Sequence, residues 1–208
     1  MQFNWRKWSK HNVVVILLLC SFAGFAQSSP EAWDASYYDG HTVQTFKQLP
    51  EVHQKIAGSK FNYRLIDAAV FFRTNEERIK NNLPQFKFSV ALEKAALGHS
   101  IDMVQQNFYA HDSPVPGKKD MTDRLKRVGV DYRTCAENIY NIFDEDPTYW
   151  SLASKLVDGW MKSSGHRRNI LNPNFSYLGC GTWPYNNPEW PAYMWFKSTQ
   201  NFSDKDAR

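Results

Sequence analysis

Residues 136–171 read AENIYNIFDEDPTYWSLASKLVDGWMKSSGHRRNIL. Within this stretch a period of two gives way to a period near 3.6. Ala136–Phe143 alternates as a strand does, and Thr148–Ser163 places Leu152, Leu156 and Trp160 on one inner helical face. Gly165–Leu171 adds a helical turn before Asn172-Pro173. One strand followed directly by a long helix is the junction that any fold assignment must satisfy.

Working outward towards the C-terminus, Tyr177–Trp183 and Tyr193–Phe202 read as two more strands, with Asn186-Asn-Pro188 as the hairpin loop between them. Towards the N-terminus the pattern is helical. Leu65, Ala69, Phe72, Ile79 and Leu83 recur at helical spacing until Pro84. A second helix runs from about Val90 to Gln106, capped by Ser89, with Leu92, Ala95, Ala96, His99 and Met103 on one face. His111–Gly117 is a loop. Asp120 caps a short helix that Gly129 closes. Helices first and strands late is no regular βαβ alternation. It predicts an α+β layer structure with a small antiparallel sheet. No glycine-rich phosphate loop occurs, so a nucleotide cofactor is unsupported.

The chain has 208 residues, a formal charge of +4 and 15% aromatic residues. That aromatic content excludes a mostly disordered chain. The basicity is concentrated at one end. Arg6, Lys7 and Lys10 precede the 13-residue apolar run Val13–Phe25, and Gly24-Phe25-Ala26 supplies small residues at a cleavage position. Residues 1–26 therefore read as an export signal, cut near Ala26. The run is short of the roughly 20 residues that a membrane span needs. Without those three cations, 22 basic residues face 21 acidic ones, so charge does not argue for nucleic acid. The expected address is extracellular or periplasmic, with no membrane span in the mature chain. Residues 27–60 read as a polar extension that packs on the domain or is partly disordered, and 61–208 as the domain itself. Outside the signal only Cys135 and Cys180 remain, either as a disulfide, which an oxidising compartment favours, or as two buried thiols.

Five histidines lie outside the signal. His41 and His53 fall in the extension and read as solvated. His99 lies on an apolar stripe and reads as a packed, hydrogen-bonded core residue. Its neighbours Ser100 and Asp102 cannot form a relay with it, because residues one and three apart diverge around a helix. His111 and His166 follow helices, where a cleft can form. Glu137 starts a strand, and Ser163 shares the inner face of Trp160's helix. Two imidazoles and a carboxylate are a zinc ligand set with an open position, or a general acid–base pair. The separations of 26 and 29 residues carry no metal signature by themselves.

Several of these segments together resemble the CAP superfamily of cysteine-rich secretory, antigen 5 and pathogenesis-related 1 proteins, in its bacterial SCP-like branch. They are Asn75–Arg78, Leu92–Met103, Asn107–His111, Ala136–Ile139, Trp160–Leu171 and Gly179–Gly181. The resemblance implies a three-layer α-β-α sandwich and a cleft with two histidines and often two glutamates. By motif it assigns His111, Glu137 and His166 to that cleft. The second acid falls on Ser163, so one carboxylate is missing. A Cys135–Cys180 bond would fix the Glu137 strand. The function implied is a secreted binding module. Its cleft would take a divalent metal such as zinc, or an envelope, host or small hydrophobic ligand. The alternatives are a metal-dependent hydrolase using His111, His166 and Glu137, and a surface interaction protein with a vestigial cleft. Exposed Trp183, Tyr185 and Trp190 would serve the last.

Overall fold

The computed structural model describes Tyr38, residues 40–58 and residues 61–207. The export signal and the start of the extension lie outside the described residues. The helices are α1 (Val43–Lys47), α2 (Tyr63–Lys80), α3 (Val90–Gln105), α4 (Met121–Arg127), α5 (Tyr149–Lys162) and α6 (Ser164–Ile170). The strands are β1 (Lys87–Phe88), β2 (Cys135–Asp144), β3 (Tyr177–Tyr185) and β4 (Met194–Ser203). Ser89, Asp120 and Thr148 cap α3, α4 and α5 by accepting from the amides of Leu92, Asp123 and Ser151. These are the side chains expected at helix starts.

The sheet order is β1-β3-β4-β2. The three long strands are antiparallel, as expected, and the two-residue β1 adds a parallel pairing to β3. Two residues carry too little alternation to be legible in sequence. Alternate residues of β3 serve opposite layers. Leu178 and Cys180 join the main core with α2, α5 and α6. Gly179 and Gly181 face α3 so closely that a Cβ would come within 2.0–2.1 Å of its backbone. Glycine at these two places lets α3 lie directly on the sheet. The layers are therefore α3 with α4, the sheet, and α2 with α5 and α6. On the second side, Trp160 is fully buried and its indole N–H donates to the Ile139 carbonyl at 3.1 Å, pinning α5 to β2.

The described part of the extension takes the packed one of its two expected states, and two other expectations change. Val43, Phe46, Val52 and Ile56 of the supposed extension are buried in the main core, and the Ile56 amide donates to Pro147 O at 2.8 Å. The core thus continues across the boundary drawn at residue 60. Ser163 does not continue the inner face of α5, because its ψ of 123° takes the backbone out of the helix at the joint with α6. Cys135 and Cys180 are free thiols, not a disulfide. Cys135 pairs with Ser203 and Cys180 with Gln200, so β4 runs between them with three residues of stagger. Two strand spacings, about 10 Å, already exceed the separation of about 7 Å that a disulfide bridges.

Candidate functional site

β2 is an outer strand of the sheet, and consecutive side chains on it point to opposite layers. Glu137 lies opposite Asn201 and on the α3 side, while Asn138 points to the α6 side. This single pair of neighbours organises both halves of the site.

The Glu137 side chain is 3% exposed, and an ionised carboxylate that deep needs partners. It has them on both oxygens. Arg124 of α4, itself 2% exposed, donates from Nη2 to Oε2 at 2.7 Å. His111 Nδ1 donates to Oε1 at 2.9 Å. Oriented by its network, Asn201 donates to Oε2 at 3.1 Å. Fully buried His99 places Nε2 3.9 Å from Oε1 and donates to Ala110 O at 3.1 Å. His99 is thus packed and hydrogen-bonded, as its apolar stripe implied, and it also borders the site. Arg124 does more than neutralise. It donates to the carbonyls of His111 and Lys118, both at 3.1 Å, and Lys118 is paired with Asp102 of α3 at 2.7 Å. One buried guanidinium therefore holds both the carboxylate and the loop that carries His111.

On the other face, Asn138 donates to His166 O at 3.2 Å and to Gln200 at 3.1 Å, and Asn169 of α6 donates to Asn138 at 2.9 Å. Gln200 continues to Thr74 of α2 at 2.7 Å. His166 is half-buried on α6, and its Nδ1 is buried without a hydrogen-bond partner among the described residues. The two histidines reach the outer edge of β2 from opposite layers and sense one another's charge. His166 is shifted down by burial and then by the charge of His111. Ser163 lies half-buried at the α5–α6 joint.

The proton states follow from these contacts. Burial pushes Glu137 up, but the His111 hydrogen bond and the Arg124 charge outweigh it, so it lies below the usual range and is an anion. The Glu137 hydrogen bond raises His111. Burial drives His99 down to about 4, only partly offset by Glu137, so it is neutral. An Nδ1–H committed to a carboxylate fixes the His111 tautomer and leaves Nε2 free on a ring whose side chain is 55% exposed. With both Glu137 oxygens engaged, the donors open to a metal are imidazole nitrogens, with Glu137 behind one of them. Among the described residues no group of three or more His, Cys, Asp or Glu is arranged to hold an ion. Sequence reading missed Arg124, the counter-ion, and Asn201. Neither is marked by local pattern, since both act through contacts across the fold.

A family model described as the cysteine-rich secretory protein family, CAP, matches residues 71–202, more than half the chain. YkwD of Bacillus subtilis is 39% identical over 108 residues, which are 52% of this chain and 38% of that protein. The chain thus matches well under half the length of that curated relative. An extracellular protein containing an SCP domain from Bacillus anthracis is 32% identical in structure alignment, with a TM-score of 0.54, covering 69% of this chain and 41% of that one. An outer surface protein of Borrelia burgdorferi, at 15% identity and a TM-score of 0.53, covers 75% of this chain and 99% of that one, and shares the fold.

Proposed function

The chain belongs to the cysteine-rich secretory protein (CAP) family, and from that premise we propose that it is an exported binding module whose β2-edge cleft takes a divalent metal, zinc foremost, on His111 and His166. One observation carries this reading. The His111 Nδ1 bond to Glu137, at 2.9 Å, is backed by Arg124 on the other oxygen, and together they present Nε2 outward in a fixed tautomer. That is the carboxylate–histidine arrangement that orients a metal-ligating imidazole. His166, held neutral by burial, is the second donor. Two imidazoles with solvent make an open site, which would supply a Lewis acid to a bound oxygen ligand. Export through residues 1–26 belongs to the same proposal. The protein of Bacillus anthracis is described as extracellular, and no helix among the described residues is long and apolar enough to cross a membrane.

Calorimetric titration of the chain with zinc at pH 7.5 tests this. Saturable heat is expected, with affinity falling at least tenfold, as for loss of a ligand or its orienting partner, in both His111→Ala and His166→Ala. No heat with the wild type, or unchanged affinity in the double variant, overturns the metal reading and leaves the surface interaction role.

Hydrolysis is a second reading, favoured by the same pair. A histidine held by a buried carboxylate is a general base in waiting. Glu137 itself cannot take that part, because both its oxygens are engaged; His111 Nε2 would be the accepting atom. Ester and peptide substrates assayed with the wild type and His111→Gln separate this reading from binding alone.

A further inference from the structure

α3 ends at Gln105, and the sheet face it covers continues without it. The rows beyond its end can be read from the strand register. Asn141, Lys197 and Trp183 form one row, and Phe143, Trp195 and Tyr185 form the next. Both lie on the Glu137 side of β2, four and six residues further along it. The loop after α3 borders them through Tyr109, and the β3–β4 loop closes the far side. The result is an open groove of about 750 Å³, inside the ~300–1,000 Å³ range of ligand sites.

Its chemistry is specific. Phe108, Tyr109, Trp183 and Tyr185 line the groove, and Tyr109 is 47% exposed. From Tyr185 the rings continue beside the groove, to Trp195 at 6.0 Å and from it to Phe143 at 4.8 Å, which meets Tyr193 at 5.0 Å, so the lining aromatics extend onto a shelf at its rim. The groove walls carry five amide side chains, among them Asn107, Asn141 and Asn187, and no acid or arginine. The single cation, Lys197, is committed: Nζ donates to Met103 O and Phe108 O, each at 2.7 Å. The tyrosine hydroxyls are committed as donors too, Tyr109 to Ile139 O and Tyr185 to Asn141 Oδ1. What remains is aromatic faces beside the donor groups of Asn141 and Asn187, whose Oδ1 atoms accept from Tyr185 and the Glu189 amide, and the amides of Gln105, Asn107 and Asn186, which both donate and accept.

We infer that this groove binds a neutral oligosaccharide. A sugar ring has an apolar face for the aromatic rings and hydroxyls that both donate and accept, which the amides answer, and it brings no charge that walls without an acid or arginine, whose one cation is already held by two carbonyls, would leave unpaired. An extended proline-rich peptide also stacks on aromatic grooves, but it offers carbonyls alone and would leave the amide oxygens of Gln105, Asn107 and Asn186 unused.

The test titrates the purified full chain with chitohexaose, cellohexaose and a proline-rich decapeptide in the presence of EDTA, following tryptophan emission and heat. Saturable binding of at least one hexasaccharide is expected. It should weaken tenfold or more in Tyr109→Ala and in Asn187→Ala, and stay unchanged in His111→Ala. Asn187 is a loop residue, so its variant remains informative if Tyr109→Ala fails to fold. Binding of the peptide alone, binding of none of the three, or sugar affinity unchanged in both groove variants overturns the inference. Because EDTA and His111→Ala leave the groove intact, failure here is distinct from failure of the metal reading.

Discussion

Buried carboxylates stand at both outer edges of the sheet, and they hold their protons differently. At the β2 edge, Glu137 touches Arg124 at 2.7 Å and His111 at 2.9 Å, and it is an anion well inside the protein. At the other edge β1 stops after Phe88, leaving the rest of β3 to be flanked by Asp67 of α2 and Glu93 of α3. Burial drives Asp67 well above the carboxylate range, and the nearby Glu93 charge adds to it; Thr182 offsets this only in part. Burial raises Glu93 to about 7 against the pull of a 2.6 Å hydrogen bond from Tyr38 and the charges of Arg64 and Lys94. Depth is similar at the two edges. What differs, among the described residues, is a guanidinium hydrogen-bonded to the carboxylate, and that decides which edge stores charge and which stores protons.

The largest effect should come from breaking the charged edge. Arg124→Met leaves Glu137 buried with its counter-ion gone, and should cost about 3–5 kcal/mol of unfolding free energy. Urea titration at pH 7 measures it; a loss below about 1 kcal/mol would mean that the pair does not sustain the buried charge. The second prediction uses the opposite pH slopes. Glu137 has a depressed pKa, so its stabilisation is present above the unfolded value near 4.5 and is lost as pH falls through its folded value. Glu93 has a raised pKa, so its contribution is full below 4.5 and is lost as pH rises through about 7. Glu93→Gln should therefore gain on the wild type between pH 5 and pH 8, by up to about 3 kcal/mol. Parallel stability profiles across that range would break the comparison. The smallest effect sharpens it. Asp67→Asn replaces a group held neutral with one that is always neutral, and should shift stability by less than about 1 kcal/mol at pH 7.

Much of the molecule was legible in residue order, because its signals are local. Helical spacing located α2, α3 and α5, cap residues set the starts of α3 and α4, and alternation found the three long strands. His111, Glu137 and His166 were picked out as one cleft by motif resemblance, and the fold brings them to one strand edge. The rest depended on contacts with no local mark. β1 is too short to show a period. Val43, Phe46, Val52 and Ile56 are too sparse to look like core until the main sheet and helices give them something to pack against. Arg124 reads as one more cation on a short amphipathic helix, and only the burial of Glu137 makes it the counter-ion.

By itself, then, the order of residues determined the family, the element order and the side chains able to do chemistry, since periodicity, caps and motifs are properties of neighbours in the chain. Tertiary structure decided the rest. It ruled that the cysteines do not bond, because β4 separates them. It engaged both Glu137 oxygens, which moves that residue behind His111. It gave Glu137 a contacting guanidinium and left burial to dominate at Asp67 and Glu93. Charge, proton and ligand positions depend on distance and burial, and those exist only once remote segments have packed.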